Sequence, residues 1–127
     1  MPSQTTEIRK NIQKSAKDGD IKSLRIAVHK LYGDDSPFKN TEHFMSAPTL
    51  LPLIEAAVLS KASTHYDIHE EMLLNIKHFH RAFGIDEEEY AEIDNFLTNL
   101  DGDHDEILSN SNEFFKHTEF SKIKFIK

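Results

Sequence analysis

Residues 67–100 constrain the fold more than any other part of the chain, because they predict two amphipathic helices joined by a short turn. Asp67 and Glu70 form the D-x-x-E pattern of an N-terminal capping box, and the same pattern recurs at Asp86, just after Gly84. Apolar residues follow each box at helical spacing: Ile68, Met72, Ile76, Phe79 and Phe83, then Tyr90, Ile93, Phe96, Leu97 and Leu100. We therefore expect an antiparallel helical hairpin at the core of the protein.

The residues before this hairpin predict three more helices. Thr5 or Thr6 can cap a first helix, and its narrow apolar stripe of Ile8, Ile12 and Ala16 predicts weak docking. Asp20 can cap a second helix that stops at Gly33. The most apolar stretch of the chain, PTLLPLIEAAVLSKAS, predicts a central helix in which Pro52 is tolerated only near the start.

The whole chain of 127 residues has the length of one domain. We predict an all-α, single-domain helical bundle of five to six helices. The expected parts are an N-terminal helix pair at 6–32, a surface loop at 33–48, core helices at 49–116 and a tail at 117–127. The alternating KIKFIK sequence in the tail fits a short strand, a frayed helix end or a basic clip on an acidic body.

The predicted loop at 33–48 is long for a helical bundle, and it carries three large apolar residues in polar surroundings. Long loops often have a function of their own. Phe38, Phe44 and Met45 are therefore either a lid that packs on the core or the tip of a surface that binds a protein partner.

Composition narrows the classes of function. A net charge of −7 argues against nucleic-acid binding and favours a protein or a cation as the partner, although the same charge also serves solubility. The absence of cysteine removes thiolate chemistry and fits a reducing compartment, so we expect a cytoplasmic protein. No run of residues is apolar enough for a signal peptide or a membrane span.

The eight histidines raise the question of a metal site, and helical geometry removes most combinations. His78 and His80 point about 200° apart on one helix, so they cannot share an ion. His65 and His69 have the H-x-x-x-H spacing, and Glu70 is close in sequence, so these three residues could form a metal site. Alternatively, the histidines are solvated or lie at the edge of the core.

No catalytic motif is present: the sequence lacks a P-loop, a nucleophile elbow, a Gly-rich dinucleotide fingerprint and an H-E-x-x-H zinc motif. The acidic run at 101–105 begins like a calcium-binding EF-hand loop. Its sixth position is Glu106 rather than glycine, however, and the expected glutamate arrives one residue late, at Glu113. Aspartates that cap a helix explain this run as well.

One family pattern matches residues 50–100. LLPLIEAAVLSKAS is followed by a turn, by Ile68 and Glu71, and by Gly84 before I-D-E-E, which resembles the core of the tellurite-resistance TerB-like family. In that family an apolar helix ends in A-D-G, followed by Ile, a nearby Glu and G-L-S-x-E. The resemblance implies a helical, stress-response-type module with a divalent-cation site on the acidic turn.

The chain departs from the family pattern at that turn, where Thr64-His65-Tyr66-Asp67 contains no glycine. Only Asp67, Glu70 and Glu71 could be carried over to the implied cation site. With the two histidines, the full set of candidate metal ligands is His65, Asp67, His69, Glu70 and Glu71.

Three functions fit these observations. The first is a non-enzymatic module that binds a protein partner, with or without a divalent cation at the Asp67 turn. The second is a metal-dependent enzyme that uses His65, His69 and Glu70. The third is an acidic immunity or inhibitor protein that masks a basic partner, whose association rate would fall with salt.

Overall fold

The computed structural model describes residues 4–33 and 50–125. These residues form six helices: α1 Gln4–Asp18, α2 Ile21–Tyr32, α3 Leu51–Ala62, α4 Tyr66–Phe79, α5 Glu87–Thr98 and α6 His104–Lys116. Neither described range contains a strand, so the predicted all-α class is confirmed. Phe38, Phe44 and Met45, the predicted partner-binding residues, lie outside the described residues.

Aspartate side chains cap the starts of three helices, as the sequence predicts. Asp20 precedes α2, Asp86 precedes α5 and Asp103 precedes α6. Each carboxylate accepts the backbone N–H of the residue three positions further along: Ser23, Glu89 and Glu106. Each cap satisfies an N–H group that the first turn of a helix leaves without an intrahelical partner. The acidic run at 101–105 thus leads into α6, with Asp103 at the N-cap position.

Helix α3 lies at the centre of the bundle. All of its residues except Lys61 are buried, and it packs against α1, α4 and α6. Pro52 lies in the first turn, where it removes no intrahelical hydrogen bond. α4 packs more extensively on α3 than on α5, so the core is organised around α3 rather than around the α4–α5 hairpin.

Helix α1 docks firmly, which contradicts the expectation from its narrow apolar stripe. Ile8, Ile12 and Ala16 are all buried. Arg9 adds a second attachment beside this stripe. Its Nε and Nη2 donate to the two carboxylate oxygens of Glu55 at 2.8 and 2.7 Å. Glu55 is only 3% exposed, although it lies in the most apolar helix of the chain. An ion pair that is buried on its Glu55 side therefore joins α1 to the centre of the core.

Helix α4 begins earlier than predicted. Its first residue is Tyr66 and its N-cap position is His65, which makes no side-chain cap. The predicted capping box of Asp67 and Glu70 is therefore wrong. The reason is the tight turn after α3, in which the His65 N–H donates to the Ser60 carbonyl at 2.8 Å. Because this turn is short, α4 begins one residue before Asp67. Asp67 instead lies in the first turn, where its charge favours the helix dipole.

Helix α4 also ends earlier than predicted, at Phe79 rather than at Gly84. A non-helical turn follows, in which the Ile85 N–H donates to the His80 carbonyl at 3.0 Å. Gly84 has a φ of +79°, which glycine adopts at little cost. The glycine therefore shapes the turn before α5 but does not close α4.

The tail after α6 packs on the bundle without forming a strand among its described residues. Phe120, Ile123 and Phe125 are buried. The Asn112 side chain binds both backbone groups of Phe125: its amide donates to the carbonyl at 2.9 Å and its oxygen accepts the N–H at 2.6 Å. A single side chain, that of Asn112, thus pairs with both backbone groups of one tail residue, as a neighbouring strand does in a sheet.

Thr64 is the one non-glycine residue with a positive φ in the described ranges, at +63°. A β-branched residue is strained in this left-handed region. We expect Thr64→Gly to raise the free energy of unfolding by about 0.5 kcal/mol, because relief of strain exceeds the extra entropy of glycine in the unfolded chain. Chemical denaturation measures this change.

The neighbouring Ser63 provides the control for this prediction. Its φ is −98°, which any residue adopts. Ser63→Gly is therefore expected to lower the free energy of unfolding, since glycine adds entropy to the unfolded chain and relieves no strain. Equal effects of the two glycine substitutions would contradict the strain at Thr64.

Candidate binding surface

The five predicted metal ligands lie around the start of α4, and three of them make contacts within the fold. His65 Nε2 lies 3.1 Å from the Lys17 carbonyl. Its ring also packs against Gly19, where an added Cβ would lie 2.6 Å from the nearest ring atom. His65 thus joins the turn after α3 to the turn after α1.

His69 faces the core. It is 4% exposed, and its Nδ1 lies 2.7 Å from the Ala57 carbonyl of α3. The Nε2 atom of the same ring is buried and makes no hydrogen bond of good geometry, although the Leu97 carbonyl of α5 is close enough to favour the charged ring. Burial lowers the pKa of His69 below its usual value, against the opposing effect of the hydrogen bond to Ala57.

Glu71 is held by an ion pair on the surface between α2 and α4. The Arg25 guanidinium donates to both carboxylate oxygens of Glu71, with a shortest distance of 2.7 Å. This hydrogen bonding lowers the pKa of Glu71. Asp67 and Glu70 are exposed.

The described residues contain no group of three or more His, Asp or Glu side chains that could hold a metal ion. His65, His69 and Glu71 instead hold α1, α2, α3 and α4 together. The divalent-cation site stays a prediction from the sequence, and so does the metal-dependent enzyme that would use it.

The charged residues are distributed unevenly along the chain, which the net charge of −7 does not show. Residues 86–119 hold twelve of the 22 Asp and Glu residues but only one of the 15 Lys and Arg residues. Their formal charge is therefore −11, whereas the rest of the chain sums to +4. We call residues 86–119 the acidic segment. A count of charge by predicted helix would have found it.

The acidic segment has a rigid support. Ile93 and Leu97 of α5 and Ile107 and Leu108 of α6 are buried. An aromatic cluster joins α5, α6 and the tail through the ring contacts of Phe96, Phe114, Phe115 and Phe120. Because the apolar sides of both helices are buried, most of the carboxylates project into solvent: Asp86, Glu87, Glu88, Glu92, Asp101, Asp103, Asp105, Glu106, Glu113 and Glu119 are all exposed.

Few cations neutralise this segment from within the described residues. The clearest case is Arg81, whose Nε donates to Glu87 at 2.6 Å and lowers the pKa of that carboxylate. His80 is buried, stacks on Tyr90 at 4.0 Å and places Nε2 3.3 Å from Glu87. Glu88 and Glu92 make no ion pair with any residue of the described ranges.

Two carboxyl groups of the acidic segment are close enough to compete for a proton. A hydrogen bond with Glu119, then partial burial, then the negative charges of Glu119, Asp86 and Glu92 raise the pKa of Glu89 to about 7. Glu89 lies in the first turn of α5 and Glu119 lies in the tail. Negative charge is therefore dense enough here to hold a proton near neutral pH.

This pair predicts a pH effect of defined sign. The folded protein binds more protons at Glu89 than the unfolded chain does between pH 4.5, the ordinary value of a glutamate, and about 7. The stability that the protonated Glu89 contributes to the folded protein is therefore complete below pH 4.5 and is lost as the pH rises through 7. We expect Glu89→Gln to raise the unfolding temperature at about pH 8 and to change it little at about pH 4.5. Differential scanning calorimetry at both pH values measures this, and a larger gain at the lower pH would contradict it.

No protein-family model, curated protein or solved structure matches this chain. Within residues 4–33 and 50–125, none of the helices combines the length and the apolarity needed to cross a bilayer.

Proposed function

We propose that this chain is a non-catalytic binding module whose acidic segment docks on a basic surface of a protein partner. One observation carries the proposal: a formal charge of −11 is concentrated in residues 86–119, while the remainder of the chain is slightly positive. Such a concentration of negative charge on one segment attracts a basic partner during diffusional encounter.

The preference for a protein over a nucleic acid follows from the sign of the charge. Nucleic-acid binding requires clustered cations that replace the counterions of phosphates, and the acidic segment would repel phosphates instead. A basic protein surface offers lysine and arginine side chains to the exposed carboxylates. The proposal therefore favours the acidic inhibitor among the functions compatible with the sequence, and it keeps the cytoplasmic location that the sequence predicts.

Two double charge reversals of equal net charge test this proposal. The first is Glu88→Lys with Glu92→Lys, on the exposed side of α5. The second is Glu7→Lys with Glu70→Lys, at exposed positions outside the acidic segment. Each pair of substitutions changes the net charge by the same amount, so a difference in association rate between the two variants shows that the position of the charge matters.

The probe is an arginine-rich peptide, and its association rate is measured by stopped-flow fluorescence at low salt. We expect the reversal on α5 to slow association by about tenfold and the reversal elsewhere to slow it much less. If both variants slow association equally, net charge alone is responsible and the acidic segment is not a docking surface.

A further inference from the structure

The sequence contains two Asp-Gly pairs, Asp18-Gly19 and Asp101-Gly102, and the structure places them in different surroundings. An aspartate before a glycine can rearrange without an enzyme, because glycine has no side chain to shield its amide nitrogen from the aspartate carboxyl group. The reaction needs the carboxyl carbon to lie beside that nitrogen, which helical backbone geometry prevents. The local structure therefore decides which of the two pairs can react.

Asp101-Gly102 lies in the connection between α5, which ends at Thr98, and α6, which begins at His104. Both residues of the pair are exposed. Among the described residues, neither backbone N–H group has a hydrogen-bond acceptor, and the Asp101 carboxylate has no ion-pair partner. No helical hydrogen bond therefore keeps the Asp101 carboxyl group away from the Gly102 amide, and water has access to both.

The capping of α6 explains why glycine is needed at position 102. Gly102 has a φ of +113°, a conformation that residues with a side chain rarely adopt. A Cβ added there would lie 3.1 Å from Cβ and Oε2 of Glu106. Glu106 is held in that place by the capping box that it forms with Asp103. The fold thus requires an unshielded amide directly after Asp101.

Asp18-Gly19 is held by the end of α1, of which Asp18 is the last residue. The Asp20 N–H donates to the Ser15 carbonyl at 3.0 Å and closes the turn around Gly19. The His65 ring packs against Gly19, at 2.6 Å from the place that a Cβ would occupy. Reaction at Asp18 would have to open this turn, so the same dipeptide is protected here.

We propose that Asp101 is a site of spontaneous isomerisation to isoaspartate, and that the fold selects it over Asp18. The Gly102 nitrogen attacks the protonated side-chain carboxyl group of Asp101. A C–N bond forms, and the amide proton leaves with the carboxyl hydroxyl group as water. Water then opens the resulting succinimide: attack at the side-chain carbonyl restores aspartate, whereas attack at the main-chain carbonyl gives isoaspartate. The reaction needs no oxidant, and the formal charge is unchanged.

The modification lengthens the main chain by one carbon atom just before the N-cap of α6. Asp103 accepts the Glu106 N–H at 2.9 Å and donates its own N–H to the Glu106 carboxylate at 3.3 Å. Both hydrogen bonds depend on where the backbone places Asp103, so the additional atom weakens the capping box. We expect the first turn of α6 to fray while α5 keeps its structure. This change does not depend on the proposed docking of a basic partner.

Incubation of the whole protein in H₂¹⁸O at about pH 6, where a small fraction of the carboxyl groups is protonated, tests the site. Each passage through the succinimide introduces one ¹⁸O atom, whether aspartate or isoaspartate results. The tryptic peptides 18–22 and 82–116 report the two pairs separately by mass spectrometry, and fragmentation locates the label. We expect label at Asp101 at least about tenfold faster than at Asp18, because reaction at Asp18 must first break hydrogen bonds of the α1 terminus.

Matched controls separate the fold from the local sequence. In denaturing urea the labelling rates of Asp101 and Asp18 should converge. Asp101→Glu keeps the charge but would have to close a six-membered ring, which forms far more slowly, so label at position 101 should disappear. Asp18→Glu should leave the reaction at Asp101 unchanged. Hydrogen exchange of the aged wild type, but not of aged Asp101→Glu, should show lost protection at the Glu106 and Ile107 amides.

Three results would overturn the proposal. The first is uptake of label at Asp18 as fast as at Asp101 in the folded protein. The second is a difference between the two rates that persists in urea, since the sequence rather than the fold would then separate the pairs. The third is an aged Asp101→Glu variant that loses protection at the start of α6 as fast as the wild type does.

Discussion

Replacement of Arg9 by methionine is expected to lower the free energy of unfolding by about 2 to 3 kcal/mol. The reason is Glu55, whose carboxylate is almost fully buried in α3 and is neutralised by two hydrogen bonds from the Arg9 guanidinium. Methionine retains the apolar part of the arginine side chain but leaves the carboxylate without a partner. Urea denaturation at pH 7 measures the loss.

Two companion variants identify the cause. Glu55→Leu added to Arg9→Met removes the orphaned charge and should recover most of the lost stability. Arg25→Met breaks a bidentate pair with Glu71 that is more exposed, and it should cost clearly less stability than Arg9→Met. If Arg9→Met and Arg25→Met cost the same, burial of Glu55 does not set the strength of the pair.

Replacement of Asn112 by alanine is expected to cost about 2 kcal/mol, the second largest effect of the single substitutions considered. The side chain satisfies both the N–H and the carbonyl of Phe125, and alanine leaves them to find water. Release of these two bonds weakens the burial of Ile123 and Phe125 against the bundle. Thermal denaturation and hydrogen exchange at the tail measure the loss.

Asn112→Asp provides a graded control. The carboxylate can still accept the Phe125 N–H, but it cannot donate to the Phe125 carbonyl and would repel it. We expect Asn112→Asp to lower the stability by less than Asn112→Ala, because only the hydrogen bond to the Phe125 carbonyl is broken. If Asn112→Ala is as stable as the wild type, the tail is held by its apolar side chains alone.

Much of the fold could be predicted because its signals are local. Asp20 and Asp86 each precede an apolar helical pattern, and both cap the helices that they were expected to cap. The stretch PTLLPLIEAAVLSKAS is apolar on more than one face, and residues 51–62 within it form the buried central helix. Short-range patterns of this kind determine where helices begin and which side they bury.

The contacts between distant residues could not be predicted in this way. Nothing near Arg9 in the sequence distinguishes it from the lysines beside it, and its partner Glu55 is 46 residues away. Asn112 likewise looks like any polar helical residue until the tail is seen to return to it. These partners become visible only when the helices are packed.

The start of α4 shows how a local pattern can mislead. Asp67 and Glu70 match a capping box as well as the pairs that do form caps. Asp67 does not cap α4, because Thr64 in the preceding turn has a left-handed conformation and His65 occupies the N-cap position. His65 and His69, two of the predicted metal ligands, each place a ring nitrogen within hydrogen-bond distance of a main-chain carbonyl, one in α1 and one in α3.

The charge of the acidic segment was available in the sequence, but its significance depends on the structure. The buried apolar sides of α5 and α6 force the carboxylates outward, and the raised pKa of Glu89 reflects their density. A total of −7 conceals this, because the rest of the chain offsets part of the charge.

We propose residues 86–119 as the surface that binds a basic partner. A titration of the ¹⁵N-labelled protein with an arginine-rich peptide, followed by the backbone amide shifts, locates the binding surface. We expect the shifts to concentrate in residues 86–119 and to disappear at about 1 M salt, where charges are screened within about 3 Å. Shifts that concentrate in α1 and α2, or that persist at high salt, would contradict it.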